Sequence, residues 1–484
     1  MSNFKERLGK LSPKKRLYAL ETLPGHLVES VQGERLHQLL TDFDFIEAKL
    51  DAVGVQALID DYDLARVSDV LLAEGQAETL KLIQGAIRKS AHILDKDKTQ
   101  LAGHLWSRLV DFETPEIQGV VKQAKQSRNS SCLWPLKPNL ERANEGALRT
   151  LVGHSWGVTA VAIAPDGKTA ISASNDKTLK IWDTETGCEL KTLTGHSKSV
   201  YAVAIAPDGK TAISASWDET LKIWDTETGL ELKTLTGHTN LVYAVAIAPD
   251  GKTAISASGD HTLKIWDTET GSELKTLSGH SDPVTAVDLA PDGKTAISAS
   301  WDHTLKIWDT ETGRELKTLT GHSYWVTAVA ITPDGKTAIS ASGDRTLKIW
   351  DTETGSELKT LTDHSWGVNA VAIAPDGKTA ISASYDETLK IWNTETGREL
   401  KTLTGHSDRV KAVDLAPDGK TAISASDDRT LKIWDLLTGK EVASFSGEGA
   451  FSGCAFAPDG VTVVAGDLSG RVHFLRLEGV SSGR

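Results

Sequence analysis

Gly153-His154-Ser155-Trp156-Gly157-Val158-Thr159-Ala160-Val161-Ala162-Ile163-Ala164-Pro165-Asp166-Gly167-Lys168-Thr169-Ala170-Ile171-Ser172-Ala173-Ser174 begins a 42-residue unit that returns, nearly unchanged, seven times between Gly153 and Ser446. A repeat of that length marks a supersecondary unit that buries its apolar face only by stacking on neighbours. Gly-His opens six units, from Gly153-His154 to Gly405-His406, and Asp363-His364 is the variant. The closing dipeptide of the signature is Trp182-Asp183 in the first unit, Trp434-Asp435 in the seventh and Trp392-Asn393 in the sixth.

Within a unit the residues read as four strands. Val158 to Ile163 is an apolar run with no polar face, as expected of a strand buried on both sides. Pro165-Asp166-Gly167-Lys168 is a tight turn. Thr169 to Ser174 and the alternating Leu179-Lys180-Ile181-Trp182 follow as strands, and Glu189 to Leu193 is a polar outer strand. Four antiparallel strands per unit, stacked radially, give a propeller. The Gly-His…Trp-Asp unit resembles the WD-repeat β-propeller family over about 70% of the chain. The resemblance implies a buried hydrogen-bonded network of His154, Ser172, Asp176 and Trp182, repeated through His406, Ser424, Asp428 and Trp434. The same residue types make a hydrolase triad, but seven copies of one nucleophile make no mechanistic sense, so the sets are read as structural. An eighth unit is degenerate: Ala457-Pro458-Asp459-Gly460 keeps the turn, Glu448 stands near the His position, and Ala465, Ser469 and Leu475 replace the other three. Ala147 to Leu151 matches an outer strand and is expected to close the ring against Arg471 to Leu475. Eight blades result; seven, with the last unit as an addition, is the alternative.

A chain of 484 residues is expected to hold two or more domains. The expected fold is a helical domain, 1–128, a linker, 129–146, and an eight-bladed WD-repeat propeller, 147–484. Net charge is −13, nearly all of it on the propeller, because residues 1–146 carry 20 basic and 21 acidic side chains. An acidic surface disfavours nucleic acid. Cys132, Cys188 and Cys454 lack ligand or disulfide spacing, and a reduced cytoplasm fits them. No apolar run reaches membrane length and the start is charged, so neither membrane nor secretion is expected.

Residues 1 to about 128 carry helical periodicity. Ser12-Pro13 starts one helix, which Pro24 is expected to break. Glu34–Leu40, Phe45–Ala52, Val55–Tyr62, Ala77–Leu94, Thr99–Val110 and Pro115–Lys125 follow. Tyr18-Ala19-Leu20, Leu39-Leu40-Thr41-Asp42-Phe43-Asp44-Phe45 and Leu58-Ile59-Asp60-Asp61-Tyr62 resemble the helical region ahead of WD repeats in signalling ATPases of the apoptotic protease-activating-factor type. In that family a nucleotide-binding module precedes the helices. Here Gly167-Lys168-Thr169 lacks the earlier glycine of a phosphate loop, so nucleotide-driven switching is not carried over. The resemblance implies bacterial signalling or defence, with a separate ATPase, protease or other effector as partner of the helices.

The repeats differ chiefly in two loops that a propeller places on one face. The first holds Trp156, Tyr324, Trp325, Trp366 and Arg409, and Tyr201 and Tyr243 follow its next Val. The second holds Trp217, Trp301 and Tyr385, with Arg345 after the network Asp. Trp, Tyr and Arg dominate interface energies. Two readings stand: a face that binds a protein or peptide, or drift with local packing at tolerant positions. The equally exposed Thr-Glu-Thr turns and outer strands barely change, which weighs against drift. No Cys or carboxylate lies at ligand spacing around His261 and His303, so no metal is expected, and nothing points to a cofactor or a catalytic residue. The chain is read as a non-enzymatic scaffold or sensor. A glycan or small-molecule sensor using the same aromatics, and a propeller enzyme, are the rivals.

Overall fold

The computed structural model describes residues 4–65, 72–73, 75–127, 132–135, 140 and 153–478. The chain divides into two compact units, a helical one and a β one that runs from Leu151 to Glu478.

The helical unit has, among its described residues, eight α-helices: α1 (Phe4–Gly9), α2 (Pro13–Glu29), α3 (Gly33–Leu40), α4 (Phe43–Ala52), α5 (Val55–Leu64), α6 (Gln76–Leu94), α7 (Leu101–Leu109) and α8 (Pro115–Gln126). Their apolar faces share one core around Leu36, Phe43, Phe45, Leu58, Ile83, Leu105 and Ile117. α1, too short to show a period, lies outside the sequence expectation. Pro24 does not break α2, which runs continuously to Glu29. A proline there offers no N–H to the Leu20 carbonyl. The buried Lys49 Nζ of α4 supplies the missing donor at 2.8 Å, and its charge meets Asp61 of α5 at 2.8 Å. One ion pair thus repairs the proline defect and ties three helices. Burial, opposed by Lys49, pushes the Asp61 carboxyl up to about 6. A short strand, Cys132–Pro135, lies within the stretch read as a linker. No described helix is long and apolar enough to cross a membrane.

The β unit is an eight-bladed propeller. In blades 1 to 7 all four strands, a to d outward, come from one repeat and pair antiparallel in chain order. Blade 1 is Val158–Ile163, Thr169–Ser174, Leu179–Asp183 and Glu189–Leu193; blade 7 is Val410–Leu415, Thr421–Ser426, Thr430–Asp435 and Glu441–Ser446. Blade 8 takes strands a to c from Phe451–Phe456, Thr462–Asp467 and Val472–Glu478. Its a strand packs on those of blades 7 and 1, which closes the ring. The Ser452 hydroxyl donates to the Val158 carbonyl at 2.5 Å, and the His154 N–H to that of Gly470 at 2.8 Å. The closing strand expected at 147–151 lies outside the described residues. Cores form between blades rather than within them. Trp308 of blade 4 sits among Ile255, Leu263, Ile265 and Leu277 of blade 3.

Candidate interaction face

The seven His/Ser/Asp/Trp sets form as implied. In blade 4, His280 Nδ1 lies 2.7 Å from Asp302 and its Nε2 2.8 Å from Ser298 Oγ. The Trp308 indole donates to the same oxygen at 2.9 Å. With the ring N–H turned to Asp302, Ser298 donates to Nε2 and accepts from the indole, so every group is satisfied. Burial raises the Asp302 carboxyl, but bonds from His280, Thr304 and the backbone overcome it and hold it well below the usual range. Ser298 is fully buried, sealed from any substrate.

Blade 8 lacks the repeating set but holds another. Asp467, on strand b, accepts from Ser469 and Arg471 and lies 2.9 Å from His473 Nε2, on strand c. Both side chains are fully buried, with His473 against Phe445 and Phe451. Glu448, near the missing His position, pairs with Arg471. The imidazole has moved from the loop ahead of strand a to strand c, a change that alignment to the repeat hides.

The loop face is organised by a β-bulge. In every blade the a–b register slips just after the first residue of strand a, as between Val158 and Ala160. The bulged residue is the variable one, and a bulge re-aims its side chain. Thr159, Thr285 and Thr327 there donate to a strand-a carbonyl of the next blade at 2.6, 3.0 and 2.7 Å. Asn369 and Ser452 reach across likewise. Tyr201, Tyr243 and Lys411 occupy the bulge in blades 2, 3 and 7, which forgo this latch.

Six of the nine predicted aromatics join one seam. Trp217 stacks on Tyr201 (5.6 Å between centroids), which meets Tyr243 edge-on (5.8 Å), which leans on Trp301 (6.0 Å). Trp301 stacks on Trp325 (4.9 Å), Trp325 on Tyr324 (4.8 Å), and Tyr324 on His303 (6.1 Å). Seven rings cross blades 2 to 5. His303, considered from sequence only as a metal ligand, ends the seam; its adjacency to Tyr324 was hidden because the two belong to different repeats. Among the described residues no cluster of His, Cys, Asp or Glu has metal-binding form. The Trp217 indole nitrogen is buried with no acceptor among the described residues.

The remaining predicted residues stand apart from the seam. Trp156 and Trp366 are 69% and 64% exposed and make no ring contact among the described residues. Tyr385 lies under two cations, Arg409 at 5.3 Å and Lys411 at 4.9 Å. Burial raises the Tyr201 phenol, Tyr385 adds to this and Lys411 opposes it. Arg345 is exposed with a left-handed φ of 75°, and its counterparts from Lys177 to Arg429 share that conformation at 68° to 74°. Gly470 takes that conformation without strain in blade 8.

Comparison with known proteins agrees with this architecture. The model of the WD domain, G-beta repeat, matches seven segments: 146–183, 187–225, 229–267, 271–309, 313–351, 355–393 and 397–435. The model of the APAF-1 helical domain matches residues 3–103. NACHT domain- and WD repeat-containing protein 1 of Mus musculus is 27% identical over 179 residues, 35% of this chain and 11% of that protein. Nuclear distribution protein PAC1 of Arthroderma benhamiae is 41% identical over 86 residues, 16% of this chain and 17% of that protein. The chain thus spans a small part of these relatives. The crystal structure of the computationally designed Ika8 protein is similar at a TM-score of 0.61 and 31% identity, over 67% of this chain and 98% of that one. The WD-repeat propeller is a typical protein-interaction scaffold, and with seven matched repeats ordered as blades of one ring, this chain belongs to the WD-repeat family.

Proposed function

We propose that the chain is a non-enzymatic adaptor or sensor whose propeller loop face binds a protein or peptide, while its helical unit docks to or regulates a separate signalling effector in the cytoplasm. One observation carries the reading: three bulges give up an inter-blade latch for Tyr201, Tyr243 and Lys411, and the first two join the aromatic seam while the third sits over Tyr385. Drift has no reason to concentrate losses there. The matches to the APAF-1 helical domain and to a protein with NACHT and WD regions support a signalling setting. The ring geometry disfavours the glycan reading, since Trp301, Trp325 and Tyr324 spend their faces on one another.

The test is capture of a partner from native lysate, beside thermal melts. Trp156→Ala with Trp366→Ala removes exposed rings and should leave the melting temperature within a few degrees. A buried hot-spot Trp is worth about 2–4 kcal/mol of binding, roughly 30-fold to 1000-fold. Trp301→Ala is not a clean probe, because Trp301 packs between Tyr243 and Trp325 and its loss lowers stability too. Capture unchanged after removal of Trp156, Trp325 and Trp366 together would refute the reading.

A further inference from the structure

Blade 7 is the only repeat with cations at both the loop and the bulge positions, Arg409 and Lys411. The corresponding pairs elsewhere are Gly157/Thr159, Ser199/Tyr201, Leu241/Tyr243, Pro283/Thr285, Trp325/Thr327 and Gly367/Asn369. Both cations lie over the Tyr385 ring. The two differ in how they are compensated. Lys411 has a carboxylate, Asp427, at 3.3 Å. Arg409 is exposed and has no carboxylate within ion-pair distance among the described residues; Asp408 beside it accepts from the backbone N–H of Arg409 at 2.8 Å. A guanidinium steadied on an aromatic ring keeps its forked N–H groups for an outside acceptor and matches a carboxylate bidentately.

We infer that Arg409, seated on Tyr385 on the loop face that also carries the aromatic seam, is a receptor for a side-chain carboxylate of the bound partner, an Asp or Glu next to a large apolar residue in an extended peptide. The inference rests on the binding-face reading and names the chemistry the face selects. Lys411 is already neutralised, so the site takes one carboxylate rather than a polyanion. A side chain is favoured over a chain terminus because terminal carboxylates are held by converging backbone N–H groups, and here the Arg409 N–H is taken by Asp408. The neighbouring apolar residue is the complement of the aromatic rings that the same face presents.

Three dipeptide probes test this on the full chain by ligand-observed NMR titration: N-acetyl-Trp-Glu-amide, its neutral counterpart N-acetyl-Trp-Gln-amide, and N-acetyl-Gln-Trp with a free terminal carboxylate. The Glu probe should bind about tenfold tighter than the Gln probe, as a charge-assisted pair at a partly exposed site warrants, and the advantage should shrink with added salt. Arg409→Gln should erase the difference while leaving the Gln probe's affinity and the melting temperature unchanged. Arg409→Lys should keep part of it, since the charge remains and the fork is lost. Equal affinity for the Glu and Gln probes, an advantage that survives Arg409→Gln, tighter binding of the free-terminus probe, or no binding of any probe at millimolar concentration would each overturn the inference. The capture experiment stays separate. Capture that depends on the exposed tryptophans but not on Arg409 would keep the binding face and reject the carboxylate receptor.

Discussion

Replacing Trp308 by alanine tests whether the propeller is held by wedges between blades. The indole is 1% exposed and sits among Ile255, Leu263, Ile265 and Leu277 of the preceding blade. Truncation removes roughly 140 Å³ of side chain, and an uncollapsed cavity costs about 24 cal/mol per Å³, hence about 3 kcal/mol. Collapse is resisted because hydrogen-bonded strand ladders fix both walls. The Ser298 hydroxyl also loses the donor it held at 2.9 Å, which adds about 1 kcal/mol. The expected loss is about 3–5 kcal/mol, read by denaturant unfolding, with hydrogen exchange locating the weakening at blades 3 and 4. Trp308→Phe keeps most of the wedge and deletes only the N–H, so it should cost clearly less. A loss below about 1 kcal/mol for the alanine variant, or equal losses for both, would refute wedge packing as the main term.

Two further perturbations separate structure from function. Thr327→Val deletes the donor to the Val368 carbonyl and should cost about 1 kcal/mol in unfolding; Tyr201→Thr installs the latch that blade 2 lacks, so stability should change by no more than about 1 kcal/mol while partner capture falls. In the helical unit, Asp61 has its carboxyl raised to about 6 by burial, so its contribution to stability is complete below the unfolded value of 3.8 and is lost as pH rises through about 6; hydrogen exchange of α4 and α5 in the full chain should show it gaining on Asp61→Asn as pH falls from about 7.5 to 5, and a constant difference would contradict the assignment.

The propeller was legible because its constraints repeat. Positions such as Ser172 and Trp182 serve the same hydrogen bonds in seven blades, so spacing alone locates them. The helices were legible where periodicity runs for two turns or more, and boundaries such as Val55 and Pro115 fell where expected. What stayed hidden depends on contacts between separate elements. The continuity of α2 through Pro24 rests on Lys49, 25 residues away. The His473–Asp467 pair uses a strand that carries no histidine in the other blades. The seam is likewise a property of adjacent repeats. Tyr243 and Trp301 lie 58 positions apart in the chain and touch only because neighbouring blades bring a bulge and a loop together.

That arrangement explains why variation concentrates at the bulge rather than along the strands. A strand residue such as Ala173 or Ile181 is buried between two blades, and any change in volume there is felt as a cavity or a clash. The Thr-Glu-Thr turns are exposed but locked differently: Asp183 accepts from both the N–H and the hydroxyl of Thr186, so substitution costs a capped turn. The bulged residue has one hydrogen bond to lose, about 1 kcal/mol, and its side chain projects where the loops meet. It is the position where a repeat exchanges the least stability for the most new surface. Five blades keep that bond and three do not; the three hold Tyr201, Tyr243 and Lys411, two rings of the seam and a cation over Tyr385. If the exchange was selected for binding, placing Thr at all three positions should cost the chain its partner while the latches gained offset much of the ring packing lost, leaving the propeller folded with a similar melting temperature. If it was drift, the same triple variant should bind as well as the parent, and the seam would count as packing alone.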